Sequence, residues 1–426
     1  MSEPLKKKKT GDKSFLRKLG PGLITGAADD DPSGIATYSQ AGAQFGLNML
    51  WTALVTFPLM VGIQIVSARI GRVTGEGLAA NIRRLFPRWV LLIVVSLLVI
   101  ANTINIAADI AAMGEALQLV VGGGEHGHAV VFGVLSLLLQ VFIPYQRYVP
   151  VLKWLTLSLL AYVAVAFSVH IDWIPAIRQS LAPNLSFNPD FIAVVVAVFG
   201  TTISPYLFFW QASQEVEELR GGNGTSALTS TPEDAQVHLR RIKLDTYVGM
   251  GFSNLIAFFI ILSAAVTLHV AGITQIQTSA QAAQALRPIA GDFCFLLFSL
   301  GIIGTGMLAV PVLAGATAYA VADSFGWRQG LDRKLFEATE FYAIIAFATL
   351  GGLLLDFTPI DPIKALFWSA VINGVIAVPI MIVMMLMATR VEVMGQFAIK
   401  RRLKFLGWLA TAAMALVVVT MLTTAW

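Results

Sequence analysis

The chain is dominated by apolar segments of about 20 residues or more, the length that a helix needs to cross the hydrocarbon core of a bilayer. Of its 426 residues, 57% are hydrophobic and 13% are charged, whereas a soluble globular protein carries about 25% charged residues. A helix satisfies its backbone hydrogen bonds within one segment, as a bilayer requires. The sequence therefore predicts an all-α integral membrane protein.

Eleven of these apolar segments are long enough to be transmembrane helices. The polar connections between them, of which the longest are 171–189, 220–242 and 270–290, are too short to form a soluble domain. A single cysteine, Cys294, excludes an intrachain disulfide and a cysteine-based zinc site. The predicted helices span residues 19–46, 48–70, 89–121, 128–145, 149–170, 190–219, 243–269, 291–324, 334–356, 362–388 and 405–425.

The basic residues predict the orientation of these helices. With a cytoplasmic N-terminus, the opposite loops hold little more than Arg178 and Arg287. This asymmetry obeys the positive-inside rule and predicts a multi-pass protein of the cell inner (plasma) membrane. The basic tail 1–18 is then cytoplasmic and the C-terminus is outside. Because the basic residues lie between spans, no binding to nucleic acid is expected. The cytoplasmic connections hold Arg72, Arg83, Arg84, Arg88, Arg147, Lys153, Arg220, Arg240, Arg241, Lys243, Arg328, Arg333, Lys334, Arg390, Lys400, Arg401, Arg402 and Lys404.

The first span contains an acidic cluster that an ordinary lipid-facing helix would not carry. Residues 29–34 read Asp-Asp-Asp-Pro-Ser-Gly, and one Asp at the centre of a membrane helix costs about 2.5–3.5 kcal/mol. Pro32 removes a backbone donor, and Gly34 permits an unwound geometry. We therefore predict a helix that is interrupted at Asp29, Asp30 and Asp31. A water-filled cavity or a bound cation must compensate these carboxylates.

The sixth span carries a second candidate break, because residues 200–206 read Gly-Thr-Thr-Ile-Ser-Pro-Tyr. Spans one and six hold corresponding positions in two inverted blocks of five spans, residues 19–170 and 190–388, followed by an extra helix at 405–425. Interrupted helices at such positions indicate the central site of a transporter. The alternative is that Pro205 merely kinks its helix. Carboxylates together with freed carbonyl groups suit a hard cation.

At these residues the chain resembles a known family. Residues 31–34, Asp-Pro-Ser-Gly, and 40–46, Gln-Ala-Gly-Ala-Gln-Phe-Gly, look like the first helix of the Nramp metal transporters, which reads Asp-Pro-Gly-Asn at its break. Residues 19–22, Leu-Gly-Pro-Gly, also match the start of that helix, and the spacing of the spans agrees over most of the chain. The resemblance implies the LeuT-type fold of two inverted five-helix repeats with broken helices 1 and 6. It also implies proton-linked import of divalent transition metals.

The resemblance implies a metal site and also reveals departures from the family pattern. Asp31 matches the metal-binding aspartate of the family, and Gly34 stands where the family has a metal-binding asparagine. The family's Met-Pro-His in the sixth helix is replaced by Ser204-Pro205-Tyr206. Near the position of a family glutamine in the tenth helix, Asn373 is a possible substitute. The predicted metal site consists of Asp30, Asp31, Gly34, Thr201, Ser204 and Asn373.

Coupling to protons is left open at this point. Asp109 matches an aspartate of the family's proton route, and Asp29 is a second candidate carrier because adjacent carboxylates repel one another. However, Ala112 stands where the family has a glutamate, and both histidines of the family's sixth helix are replaced, by Tyr206 and Gln211. Histidine is the side chain that titrates most readily near neutral pH.

The departures predict which ion is carried. Thioether sulfur favours softer transition metals, whereas carboxylate, hydroxyl and carbonyl oxygens favour Mg²⁺, Ca²⁺ and Mn²⁺. We therefore predict a secondary transporter that imports a divalent metal by alternating access, of the Mn²⁺/Fe²⁺ type but shifted toward harder ions such as Mg²⁺. The Nramp-related magnesium transporters are a precedent for such a shift. The alternative is a carrier of the same fold for an organic cation or an amino acid.

Other classes of function receive no support from the sequence. No nucleophile–base pair or cofactor motif accompanies the breaks, so neither enzymatic activity nor a cofactor is expected, and the metal ion is a substrate. The oligomeric state is left open. Glu215, Glu217 and Glu218 lie at the end of the sixth span next to Arg220, and we interpret them as a solvated cytoplasmic face.

Overall fold

The computed structural model describes residues 21–144, 147, 152, 154–221, 227–228, 235–358 and 361–424. All regular secondary structure in these residues is helical. The helices of eight or more residues are α1 (Pro21–Asp29), α2 (Pro32–Phe45), α3 (Leu50–Thr74), α4 (Leu78–Leu85), α5 (Arg88–Val121), α6 (Glu125–Phe142), α7 (Leu160–Ser168), α8 (Trp173–Leu181), α9 (Pro189–Thr202), α10 (Pro205–Gly221), α11 (Ala235–Ala264), α12 (Cys294–Phe325), α13 (Thr339–Leu355), α14 (Pro362–Thr389) and α15 (Arg401–Thr424).

Within the described residues, eight helical runs are long and apolar enough to cross a membrane, or nine if the bent pair Trp154–Ser168 and Trp173–Leu181 counts as one. The run Pro32–Thr74 covers parts of two predicted spans, because α2 continues through a short turn at Gly46–Met49 into α3. The ninth predicted span is the shorter apolar helix α13. The all-helical membrane architecture is confirmed, as are the interruptions of the first and sixth spans. The predicted tail 1–18 lies outside the described residues.

The basic connections gather at one end of the bundle, which we call the basic end. There Arg72 of α3 contacts the ring of His238 in α11 at 2.8 Å, and Arg390, which follows α14, lies over the ring of Phe86. At the opposite end, the Asn48 side-chain amide donates a hydrogen bond to the backbone carbonyl of Asn184 at 2.8 Å. This grouping follows the alternation of spans that the charges predict.

Small residues let the interrupted helices pack closely against their neighbours. A Cβ atom added at Gly26 of α1 would overlap the backbone of Gly249 in α11. A Cβ atom at Gly200 of α9 would overlap the backbone of Ala370 and Gly374 in α14. Contact between helix backbones through small residues is the common mode of packing in membranes. It holds both interrupted helices against continuous ones on either side of the site.

One stretch that we predicted as a polar connection contains a helix. Within 171–189, α8 buries Ala176 and Ser180 and leaves Ile174 and Leu181 exposed. A helix of nine residues is too short to cross the membrane by itself. With one small buried face, it suits a position at the membrane interface. The connection 171–189 thus contains a short helix, which the sequence analysis did not predict.

Candidate functional site

The first helix is interrupted between Asp29, where α1 ends, and Pro32, where α2 begins. Asp31 has extended backbone angles, φ -70° and ψ 170°, and is the N-cap of α2. Its Oδ1 accepts a hydrogen bond from the backbone N–H of Gly34 at 2.8 Å. A side-chain oxygen at this position satisfies a free N–H group of the first turn, and a negative charge is favoured there by the helix dipole. The hydrogen bond that caps the start of α2 therefore also holds the Asp31 carboxylate at the break.

The sixth span is interrupted between Thr202, where α9 ends, and Pro205, where α10 begins. The hydroxyl group of Ser204 lies within hydrogen-bond distance of two backbone carbonyls, those of Gly200 at 2.8 Å and Thr201 at 2.7 Å. The Ser204 side chain thus turns back on its own helix end. This break is more than a proline kink, because helical geometry stops for two residues before it resumes.

The two breaks face each other in the centre of the bundle. The Ser33 hydroxyl of α2 lies 3.5 Å from the Thr201 hydroxyl of α9. From α10, the Tyr206 hydroxyl donates a hydrogen bond to the backbone carbonyl of Ala28 in α1 at 2.9 Å. Residues that are about 170 positions apart in the sequence are therefore in contact at the two interruptions.

Asp31 lies at the centre of this arrangement and is 1% exposed. Besides the Gly34 amide, its Oδ1 accepts a hydrogen bond from the Ser33 hydroxyl at 2.6 Å. Its Oδ2 accepts one from the Asn105 side-chain amide at 3.1 Å and lies 3.4 Å from the Tyr206 hydroxyl. All of these donors are neutral. The carboxylate is held in place by hydrogen bonds, and in the part of the chain that the structure describes no basic side chain pairs with it.

The other two acids of the cluster share a different neighbour. The hydroxyl of Ser253 in α11 contacts Asp29 Oδ2 at 2.5 Å and Asp30 Oδ1 at 3.1 Å. Asp29 Oδ1 is buried and accepts no hydrogen bond from any described residue. Within the described residues, none of the three aspartates forms an ion pair with a basic side chain. Three consecutive buried acids thus lie at the first helix break without a basic partner among the described residues.

Two further candidate residues are buried near the site without hydrogen-bond partners for their side chains. Among the described residues, no side chain donates a hydrogen bond to either carboxyl oxygen of Asp109 in α5; its polar neighbours are the Asp31 carboxylate and the backbone N–H of Ser33. Both amide atoms of Asn373 in α14 also lack a partner within the described ranges. Buried polar groups are normally paired, so these two side chains remain free to bind an ion, a water molecule or a proton.

Gly34 contributes space to the site as well as its N–H group. A Cβ atom placed there would lie 3.3 Å from the Thr201 hydroxyl and 3.3 Å from the ring of Tyr38. These distances are tight but do not exclude a larger side chain. The side chains of Thr201 and Tyr38 thus border the space that the longer residue of the family would fill.

Sequence reasoning missed three donors of the site. Asn105 and Ser253 were not among the predicted site residues, and Tyr206 was considered only as a replacement for a family histidine. A polar residue in the middle of an apolar span is the signal that could have identified Asn105 and Ser253. No local signal links Tyr206 to Ala28, since that contact depends on how the two halves of the chain pack.

At the basic end, the acidic residues that close α10 form the predicted solvated face only in part, because Glu218 is exposed whereas Glu215 is buried. The Glu215 side chain is fully buried, and its carboxylate pairs with Arg241 of α11 at 2.8 Å. Glu218 also pairs with Arg241 and lies 4.0 Å from Arg72 of α3. Glu217 accepts hydrogen bonds from the Tyr319 hydroxyl of α12 and from a backbone N–H. These ion pairs tie α3, α10 and α11 together on this side of the site.

At the opposite end, a cavity of about 500 Å³ lies among α2, α9, α14 and α15. Ala36 and Gln40 of α2 are part of its wall. Ala36 follows Asp31 by five residues, about 7.5 Å along the helix axis. The site therefore has a cavity toward one end and a network of ion pairs toward the other. The polar side chains in the cavity wall are those of Gln40, Gln44, Asp190, Gln275, Gln277, Lys364 and Thr424.

Comparison with known proteins gives a family match over almost the whole chain. Residues 22–424 match the family described as natural resistance-associated macrophage protein-like, or Nramp. The divalent metal cation transporter MntH of Klebsiella pneumoniae (strain 342) is 26% identical over 93% of this chain and 91% of its own length. The protein of the same name from Yersinia pestis (strain Pestoides F) is 31% identical over 70% of this chain and 71% of its own length.

Comparison with solved structures gives the same fold. A crystal structure of the Eremococcus coleocola manganese transporter superposes with a TM-score of 0.73 at 15% identity, covering 97% of this chain and 87% of that one. Mhp1, a nucleobase-cation-symport-1 family transporter, superposes with a TM-score of 0.58 at 14% identity, covering 96% and 91% of the two chains. The interrupted helices thus belong to a fold that serves more than one class of substrate.

Proposed function

The chain belongs to the Nramp family, and on that premise we propose that it is a secondary transporter that carries a divalent metal ion across the membrane. The relatives named above are described as transporters of divalent metal cations or manganese. In this chain the metal ion is a substrate that binds at the two helix breaks. The site that we propose consists of Asp30, Asp31, Gly34, Thr201, Ser204 and Asn373.

The buried carboxylate of Asp31 is the observation that carries this proposal. It lies at a helix break, and every described residue that donates a hydrogen bond to it is neutral. A charge at membrane depth without a counter-ion is costly, so such residues mark ion pathways. A divalent cation bound beside Asp31, with Asp29 and Asp30 close by in sequence, would supply the missing positive charge.

We infer that the preferred ions are hard ones, such as Mg²⁺ or Mn²⁺. The side chains around the two breaks present carboxylate, hydroxyl and amide groups, and Ser204 stands where the family pattern has a methionine. Oxygen ligands favour Mg²⁺, Ca²⁺ and Mn²⁺ over the softer metals that prefer sulfur. The alternative of an amino acid substrate is less favoured, because the carboxylates of Asp29, Asp30 and Asp31 would repel the carboxylate of an amino acid.

Alternating access is the mechanism that the two ends of the site support. The cavity beside Ala36 and Gln40 offers space toward one end. The ion pairs of Arg241 with Glu215 and Glu218 close the other end. A carrier needs each side to open in turn around a fixed site, so release toward the basic end requires this network to separate. The positive-inside rule assigns the basic end to the cytoplasm.

Proton coupling forms a separate part of the proposal, and Asp109 is the residue on which it would depend. Its carboxyl group is buried beside Asp31 and the backbone N–H of Ser33, and no described side chain donates a hydrogen bond to it. Asp29 is the second candidate, since one of its oxygens is also unpartnered. With the two family histidines replaced by Tyr206 and Gln211, a proton route in this chain would run through carboxyl groups.

Calorimetry on the purified protein tests the proposal. We expect Mg²⁺ or Mn²⁺ to bind to the wild type, and Asp31→Ala to abolish binding. Asp292→Ala is the matched control, because it removes an exposed carboxylate outside the site and should leave the affinities unchanged. If the wild type binds no divalent ion, the proposal is wrong, and an organic cation such as a quaternary amine should be tested next.

A further inference from the structure

The prolines of the two breaks each deprive one carbonyl group of its donor. In an α-helix the N–H of residue i donates to the carbonyl of residue i−4, and proline has no N–H. Pro32 therefore cannot donate to the carbonyl of Ala28, and Pro205 cannot donate to that of Thr201. Both carbonyls lie at the centre of the membrane domain, where an unpaired polar group is costly. An ion at Asp31 would find two oxygen ligands there if the carbonyls were free.

Neither of these two carbonyls is free. The Tyr206 hydroxyl donates to the carbonyl of Ala28 at 2.9 Å. The Ser204 hydroxyl lies 2.7 Å from the carbonyl of Thr201 and 2.8 Å from that of Gly200, so these two carbonyls share its one proton. Both side chains are buried, with 1% exposure each. The hydroxyl groups thus take the place of the two N–H groups that the prolines lack.

These two hydroxyls come from two positions at which the chain departs from the pattern of the family that it resembles. The pattern has methionine and histidine where Ser204 and Tyr206 stand. A thioether cannot donate a hydrogen bond, so Ser204 adds a donor to the site. Tyr206 places its donor on α10 but hydrogen-bonds across to α1, which joins the two interrupted helices. Together, the two replacements therefore place a hydroxyl group within hydrogen-bond distance of each carbonyl that lacks its helical donor.

We propose that Ser204 and Tyr206 determine specificity, because their hydroxyl groups occupy the two carbonyls that an ion at Asp31 would otherwise use as ligands. This inference rests on the proposed function. An ion must either displace the hydroxyls or keep water molecules in those two coordination positions. Mg²⁺ dehydrates reluctantly and retains several waters when protein-bound, whereas Ca²⁺ takes six to eight oxygen ligands. Capping the carbonyls thus favours Mg²⁺ over ions that need more ligands from the protein.

The test compares the affinities of three ions in variants that remove one hydroxyl each. Tyr206→Phe keeps the buried ring and frees the carbonyl of Ala28, and Ser204→Ala frees that of Thr201. Tyr342→Phe is the matched control, because its hydroxyl donates to the backbone carbonyl of Arg333 at 2.8 Å, away from the site. Dissociation constants for Mg²⁺, Mn²⁺ and Ca²⁺ are measured by calorimetry on each purified protein.

We expect the preference for Mg²⁺ over Ca²⁺ and over Mn²⁺ to fall by roughly 2- to 10-fold for each hydroxyl removed, the factor that corresponds to one net hydrogen bond. Tyr342→Phe should leave both ratios at the wild-type value. A purely structural role for the hydroxyls would lower thermal stability without changing the ratios, and that result would overturn the inference. If Tyr206→Phe cannot be purified, the affinity ratios of Mg²⁺ to Ca²⁺ and to Mn²⁺ in Ser204→Ala test the inference.

The outcomes also separate this inference from the proposed function. If the wild type binds no divalent ion, the proposed function fails and the inference fails with it. If the wild type binds and Asp31→Ala does not, but the ratios are unchanged in both hydroxyl variants, only the inference is wrong.

Discussion

The carboxylate of Asp245 in α11 accepts a hydrogen bond from the backbone N–H of Gly22 at 2.7 Å and so caps the start of α1. The short helix α1, which precedes the acidic break, is thereby attached to α11 at the basic end. Helix starts leave N–H groups without intrahelical partners, and here a distant residue supplies the acceptor. Movement of α1 away from α11 would have to break this contact first.

Removing this cap should loosen α1. We expect Asp245→Ala to lower the free energy of unfolding by about 1 kcal/mol, the usual worth of an N-cap side chain, as measured by thermal unfolding in detergent. Asp245→Asn keeps an acceptor and removes the charge, so it should lose less than half as much. Equal losses in the two variants would mean that the charge of Asp245 matters and the cap does not.

The ion pairs of Arg241 give a second prediction. Arg241→Gln leaves Glu215 buried without its cationic partner, and breaking a buried pair in this way costs about 3–5 kcal/mol. Replacing both residues, Arg241→Gln with Glu215→Gln, should recover a large part of that loss. Chemical unfolding of the two single variants and the double variant measures the coupling. If the losses in the free energy of unfolding of the two single variants simply add in the double variant, the pair contributes nothing to stability.

An exposed ion pair serves as the control for that experiment. Arg84 and Glu76 lie 3.5 Å apart with side chains 52% and 45% exposed. Exposed pairs contribute at most about 1 kcal/mol, so Arg84→Gln should change stability far less than Arg241→Gln. A similar loss in the two variants would mean that burial of Glu215 does not set the strength of its pairing.

The sequence allowed the two breaks to be predicted, because each depends on local chemistry. Pro32 and Pro205 remove helix donors wherever they stand, and a carboxylate just before Pro32 favours a helix start. The burial of Glu215 could not be predicted in this way. Charges at the end of a span look alike in sequence whether they face water or an arginine of another helix. The contact of Tyr206 with Ala28 depends likewise on the packing of two distant halves.

Selectivity should respond to the residue at position 204. Ser204→Met restores the thioether of the family pattern and removes the hydroxyl on the carbonyl of Thr201. Sulfur ligands favour soft metals, so we expect the affinity for Cd²⁺ relative to Mg²⁺ to rise by at least about tenfold, as measured by calorimetry and equivalent to about 1.4 kcal/mol. If wild type and Ser204→Met rank the two ions alike, the side chain at this position does not set the preference.

Proton coupling is tested at Asp109. Any metal-driven proton flux into proteoliposomes, followed with a pH-sensitive dye, should disappear in Asp109→Asn. Metal binding should persist, because no hydrogen bond joins the side chains of Asp109 and Asp31 in the part of the chain that the structure describes. A proton flux that survives in Asp109→Asn would exclude this residue as the carrier. A wild type without any such flux would exclude coupling altogether.

Uptake of Mg²⁺ and Mn²⁺ into proteoliposomes containing wild type, Asp31→Ala or Asp292→Ala tests the central claim most directly. We expect the wild type and Asp292→Ala to take up at least one of the two ions at equal rates, and Asp31→Ala to show no uptake above empty liposomes. Uptake by Asp31→Ala at the wild-type rate, or no uptake of any divalent ion by the wild type, would contradict a metal carrier centred on Asp31.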